Sequence, residues 1–205
     1  MPATLAHEIA ALTGEHVVLV AVALLTASLI GIPAGISLTR KAAWRSAVLG
    51  FTNVVQTIPS LALFGFLIPL PFIGGIGKRT AIVALVLYAL LPILRNTLTG
   101  ILGVDSAVVE SAVAMGMTDR QRLFRVELPL AAPTILAGVR VATVTTIGTA
   151  TIAAAIGGGG LGVFIFRGLA SVDASQILAG AVPAALLALA ADGGLGWIER
   201  RLARP

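Results

Sequence analysis

Glu110-Ser111-Ala112-Val113-Ala114-Met115-Gly116, running on through Thr118-Asp119-Arg120-Gln121-Arg122 to Val126-Glu127-Leu128-Pro129, is a polar, structured island between long apolar runs. Asp105 or Ser106 can cap a short helix that carries Glu110, Ala112 and Ala114 and ends around Gly116, where left-handed backbone costs glycine least. Thr118 to Gln121 fits a capping box, so a second short helix is expected to begin there. Leu128-Pro129 is expected to end that helix, and Pro133 to fix the angle at which the chain returns to apolar sequence. Two helices joined by a glycine turn make a rigid elbow that a partner protein can grip.

Around this island the chain is 58% hydrophobic and 11% charged, with mean hydropathy +1.02, where a soluble domain is about one quarter charged. The protein is therefore read as an integral membrane protein. Apolar stretches at about 16–38, 47–70, 79–101, 130–155 and 174–197 each match the roughly 20 residues of a tilted membrane helix. An unpaired amide in lipid costs several kcal/mol, so the spans are helical and the fold all-α, with about five transmembrane helices. Residues 1–205 are read as a single transmembrane domain, with no room for a soluble catalytic module. Pro33, Pro59, Pro92 and Pro183 fall inside spans and are expected to kink or unwind several of them.

Positive charge sets the orientation. Arg40, Lys41 and Arg45, then Arg120, Arg122 and Arg125, then Arg200, Arg201 and Arg204 all fall on one side if five helices alternate. That side is expected to be the cytoplasm, with the N-terminus outside, the C-terminus inside, and Trp44 and Trp197 near the inner interface. Lys78, Arg79 and Arg167 are the minority on the other side. Basic residues in short runs between apolar segments argue against nucleic acid despite the net charge of +5. The absence of cysteine excludes disulfides and thiolate metal sites. His7 and His16 have no second ligand at metal-binding spacing and are expected to be solvated or interfacial. The first fifteen residues hold Glu8 and Glu15 but no Lys or Arg, so no cleaved signal is expected.

The island resembles the EAA loop of bacterial ABC importer permeases: Glu, two small residues, three variable, Gly, nine variable, an aliphatic, one variable, then Leu-Pro. Ser111 is a small-for-small replacement. The resemblance implies a type I importer permease (MetI-like) fold with cytoplasmic coupling helices at about 102–129. It implies that Glu110, Ser111, Ala112, Gly116, Arg120, Arg125, Leu128 and Pro129 couple to an ATPase subunit. Gly157-Gly158-Gly159-Gly160 and Gly74-Gly75 lack the Lys-Ser or Lys-Thr of a phosphate loop, so ATP and Mg belong to that partner and this chain carries no cofactor, metal or catalytic residue. The further implied partners are a second permease copy or a sister permease and a separate extracytoplasmic substrate-binding protein, in the bacterial cytoplasmic membrane.

Gln56 to Phe64, Tyr88 to Thr97, and Ile147 to Thr151 leading to Ile156 to Gly162 resemble the branch of these permeases that imports glycine betaine, choline, carnitine and similar compounds. A quaternary ammonium is held by cation–π attraction, yet aromatics are only 5% of the chain, so tight recognition is assigned to the separate receptor. Candidate passage residues are polar side chains at helical spacing within spans. Asn53, Gln56 and Ser60 form one stripe, either lining a path or bonding another helix. Thr145 and Thr149 form another, read chiefly as packing against a second copy. Arg140, about 15 Å into its span, needs a partner or water, and Asp192 is the expected partner, in a pair that is structural or gates the inner mouth. The competing readings are a permease of the same architecture for another solute, such as methionine, an ion-coupled secondary transporter, and an intramembrane enzyme. The secondary transporter is disfavoured by the lack of duplicated inverted halves and of buried acidic residues suited to a coupling ion, and the enzyme by the lack of a Cys nucleophile, a metal-ligand cluster or a histidine within a span.

Overall fold

The computed structural model describes residues 2–203, and every regular segment among them is helical. Arg204, the last of the basic tail, lies outside the described residues. Helix α1 (Pro2–Arg40) has 39 residues, about 58 Å at the helical rise, and so begins well before the expected residue 16. Two of its hydroxyls return to the backbone, Thr13 to the Ile9 carbonyl and Thr26 to the Val22 carbonyl, which hides them from lipid.

The stretch expected as one span at 47–70 is two helices, α2 (Ala42–Thr57) and α3 (Ser60–Leu67), bent by 104°. Ile58 has ψ 126°, because the Pro59 ring excludes the helical region for the residue before it. Pro33, Pro92 and Pro183 stay inside continuous helices, so among the four only Pro59 breaks one. Pro92 nonetheless leaves the Tyr88 carbonyl without its i+4 donor. Gln56 Nε2 on α2 supplies a substitute at 3.1 Å, and the Tyr88 hydroxyl donates in return to the Ile58 carbonyl at the break.

Helix α4 (Lys78–Leu102) packs between α1 and α7 and is the most buried element. Close approach depends on small residues. A Cβ on Gly35 would lie 2.8 Å from Thr97 Cβ, and one on Gly138 would lie 2.8 Å from the Pro92 carbonyl oxygen. Helix α5 (Ser106–Ala114) and the single turn α6 (Asp119–Arg122) lead through a π-helical turn, Leu123–Glu127, into α7 (Leu128–Ala150). The α-helix of the fourth span thus ends at Ala150, short of the expected 155, and a 3₁₀ turn at Ile152–Ile156 follows it. Helix α8 (Gly162–Ser171) follows, and α9 (Ala174–Leu202) returns antiparallel to α7.

His16 departs from expectation. It is wholly buried in α1, with Nε2 3.1 Å from the Ile147 carbonyl. The cause lies in α7, whose last turn tightens so that the Thr151 amide donates to Gly148 and leaves the Ile147 carbonyl to a side chain. Because a carbonyl only accepts, Nε2 carries the proton.

Candidate functional site

The elbow has the local structure its residues call for. Asp105 accepts from the Ala107 amide at 2.9 Å and caps α5. Gly116, at φ 78°, closes it as a Schellman motif, with the Met117 amide donating to the Ala112 carbonyl and the Gly116 amide to the Val113 carbonyl. Thr118 and Gln121 form both bonds of a capping box. Ala112 is buried where α5 meets α6 and the π turn, so a small residue is needed there. Glu110, Ser111, Arg120 and Arg125 are exposed, as are the apolar Val113, Met115 and Phe124. Arg120 lies 6.0 Å over the Phe124 ring.

Leu128 and Pro129 do not end the second helix, which corrects the expectation. Residues 119–150 form one continuous helical rod. The Leu128 amide donates to Leu123, five residues back, and this wider turn makes room for the Pro129 ring that would otherwise crowd a carbonyl. At that turn lies a group the sequence reading left as a variable position. Glu127 has a side chain only 5% exposed, 2.6 Å from Arg40 of α1 and 2.9 Å from Arg122. Arg122 also reaches Asp119 at 3.0 Å. The available signal was two opposite charges, one just after the first apolar run and one just before the fourth.

That contact puts Arg40, Lys41 and Arg45 at the same end of the bundle as Arg120, Arg122 and Arg125. At the opposite end Lys78 pairs with Glu15 at 3.3 Å and Arg167 with Glu8 at 2.6 Å.

Residues 27–204 match the family described as binding-protein-dependent transport system inner membrane component. The chain belongs to that family. It is 47% identical, over 93% of its length and 86% of the relative's, to the glycine betaine/carnitine/choline transport system permease protein OpuCB of Bacillus subtilis (strain 168). It is 43% identical, over 95% of its length and 89% of the relative's, to the osmoprotectant import permease protein OsmW of Salmonella typhimurium. Among solved structures it superposes with TM-score 0.85 and 25% identity on a chain of the MetNI methionine ABC transporter, crystallised in inward-facing conformations, covering 94% of each chain. The fold is that of a type I ABC importer permease.

Within this permease the expected passage residues separate into groups. Asn53 accepts from Arg95 at 3.0 Å and Gln56 donates to Tyr88, so both bond α2 to α4. Ser60 lies beyond the 104° bend and does not continue their stripe, contrary to expectation. Arg95, an exposed cation within α4, went unassigned from sequence although its charge in a span was the same signal that marked Arg140. Arg140 meets Asp192 in a fork, Nε to Oδ1 at 2.7 Å and Nη2 to Oδ2 at 2.8 Å, and also meets Glu199 at 3.2 Å. Gly196 lies against the guanidinium, where an added Cβ would stand 3.0 Å from its Cζ. The triad and Thr145 line one cleft of about 300 Å³ between α7 and α9. Thr145 and Thr149 donate to the backbone carbonyls one turn back.

Proposed function

We propose that this permease is the transmembrane subunit of an ATP-driven importer of quaternary ammonium or betaine-type osmoprotectants, coupled through its elbow to a separate ATPase subunit. One observation carries the reading: an exposed apolar and basic elbow, capped at each helix end, runs without interruption into a membrane-spanning helix. A surface that combines Val113, Met115 and Phe124 with Arg120, Arg125 and Glu110 suits a protein groove with a polar rim. ATP and Mg reside on the partner, whose closure displaces the elbow and with it α7, switching a passage between outward and inward openings.

The substrate class follows the kinship, since identity is 47% to a glycine betaine/carnitine/choline permease and 43% to an osmoprotectant permease against 25% to the methionine transporter chain. The elbow faces the cytoplasm and the N-terminus faces out. This is supported by the basic residues gathered at the elbow end and by the pairing of Lys78 and Arg167 with carboxylates at the other. Two permease chains, identical or sister, enclose the passage, and a separate binding protein delivers the solute. The Asn53–Gln56–Arg95 face of α2 and α4 and the Arg140 cleft are its candidate walls, because charges inside a span need water or protein.

The test is purification with the neighbouring ATPase and binding protein, reconstitution in lipid, and ATPase measurement with glycine betaine, carnitine, choline and methionine. Stimulation by the quaternary ammonium compounds is expected. Stimulation by methionine alone would assign another solute, and uptake that persists with an inactivated ATPase would make this a secondary transporter.

A further inference from the structure

The strongest unassigned feature is the buried charge cluster under the elbow. Glu127 is a carboxylate almost sealed from solvent, held by guanidinium groups from two directions: Arg122, within the elbow, and Arg40, the last residue of α1. Arg45 of α2 caps the same helix end, reaching the Leu38 and Thr39 carbonyls at 3.4 and 3.3 Å, and so ties α2 to α1. Breaking one partner of a buried ion pair is costly because it strands the other charge, so the end of α1 and the π turn cannot separate freely. Helix α1 also packs along α4. A displacement of the elbow is therefore shared between α7, to which it is covalently joined, and α1, to which this cluster binds it by charge beside the apolar cluster that Ile32 and Ile36 share with Leu123 and Leu128.

We propose that Glu127 is a positioning residue that welds the C-terminal end of α1 to the elbow, so that nucleotide-driven movement carries α1 and α7 as one body. This rests on the reading of the elbow as the ATPase contact. Without the weld, the ATPase still docks and still hydrolyses ATP, but part of each stroke is lost between α7 and α1.

The test uses the complete transporter with its ATPase and binding protein in lipid vesicles, reading uptake and ATP hydrolysis together. In Glu127→Gln and in Arg40→Gln, uptake per ATP hydrolysed is expected to fall by about tenfold, within the usual range of site-to-site coupling. Assembly with the ATPase should remain intact, and Arg40→Lys, which keeps the charge, should restore most of the ratio. An unchanged ratio in both Gln variants overturns the proposal. If Glu127→Gln fails to assemble, Arg40→Gln decides alone, since the Arg40 side chain is 43% exposed and its loss leaves Arg122 on the carboxylate. Failure of the underlying reading looks different: the unaltered protein itself would then show no ATP-dependent uptake.

Discussion

Gln56 donates its side-chain amide to the carbonyl of Tyr88, and that carbonyl is free because Pro92 has no N–H to give it. The bond therefore ties the broken second span to the continuous third. Gln56→Leu is expected to destabilise the permease by about 0.5–1.5 kcal/mol, the usual worth of a hydrogen bond between membrane helices. In a Pro92→Ala background the helix regains its own donor and the same substitution should cost much less. A double-mutant cycle on melting temperature in detergent reads the difference, and equal costs in both backgrounds would refute the account.

Gly116 holds the left-handed turn of the elbow, at φ 78° with open space around it. Backbone strain, not crowding, sets the penalty for a side chain there, about 1–2 kcal/mol for a branched residue. Gly116→Val should weaken co-purification of the ATPase, whereas Gly116→Asn, which tolerates that conformation better, should retain most of it. Equal retention by both would show that the turn does not set the docking geometry.

Arg140 is bidentate on Asp192 and singly bonded to Glu199. Asp192→Ala should accordingly reduce thermal stability and uptake more than Glu199→Ala, and Arg140→Lys should not substitute, since an ammonium lacks the planar fork. If Arg140→Ala and Asp192→Ala are each neutral in assembly and transport, the triad has no role.

Asp173 caps α9, and the Ser175 hydroxyl and amide hold its carboxyl below the usual range. A depressed folded-state pKa gives stability that is present above the unfolded value and lost as pH falls through the folded one. The melting-temperature gap between the unaltered protein and Asp173→Ala should thus be constant at neutral pH and close below about pH 4. A gap independent of pH would contradict the cap.

How much could be read from sequence divides along the range of the forces involved. The elbow was legible because its caps are local: Asp105, Gly116, Thr118 and Gln121 each act within a few residues. Arg140 and Asp192 were legible as partners because two isolated opposite charges within spans have few alternatives. The consequences of proline were not, since Pro59 breaks a helix while Pro92 is accommodated by a donor from another element. His16 was misread because α1 starts far upstream of its most apolar run, and its acceptor belongs to a helix end more than a hundred residues away. Glu127 was passed over for a similar reason. Its neighbours in sequence are apolar, and the arginine that gives it meaning beyond the elbow comes from α1.

The unbroken rod from Asp119 to Ala150 has 32 residues, about 48 Å along its axis. Under the proposed coupling it would serve as a lever crossing the membrane. Pivoting it by about 5° would swing the far tip by roughly 4 Å over that length, so a small push at the base would be magnified beside the glycine loop at the other end, without any helix having to melt.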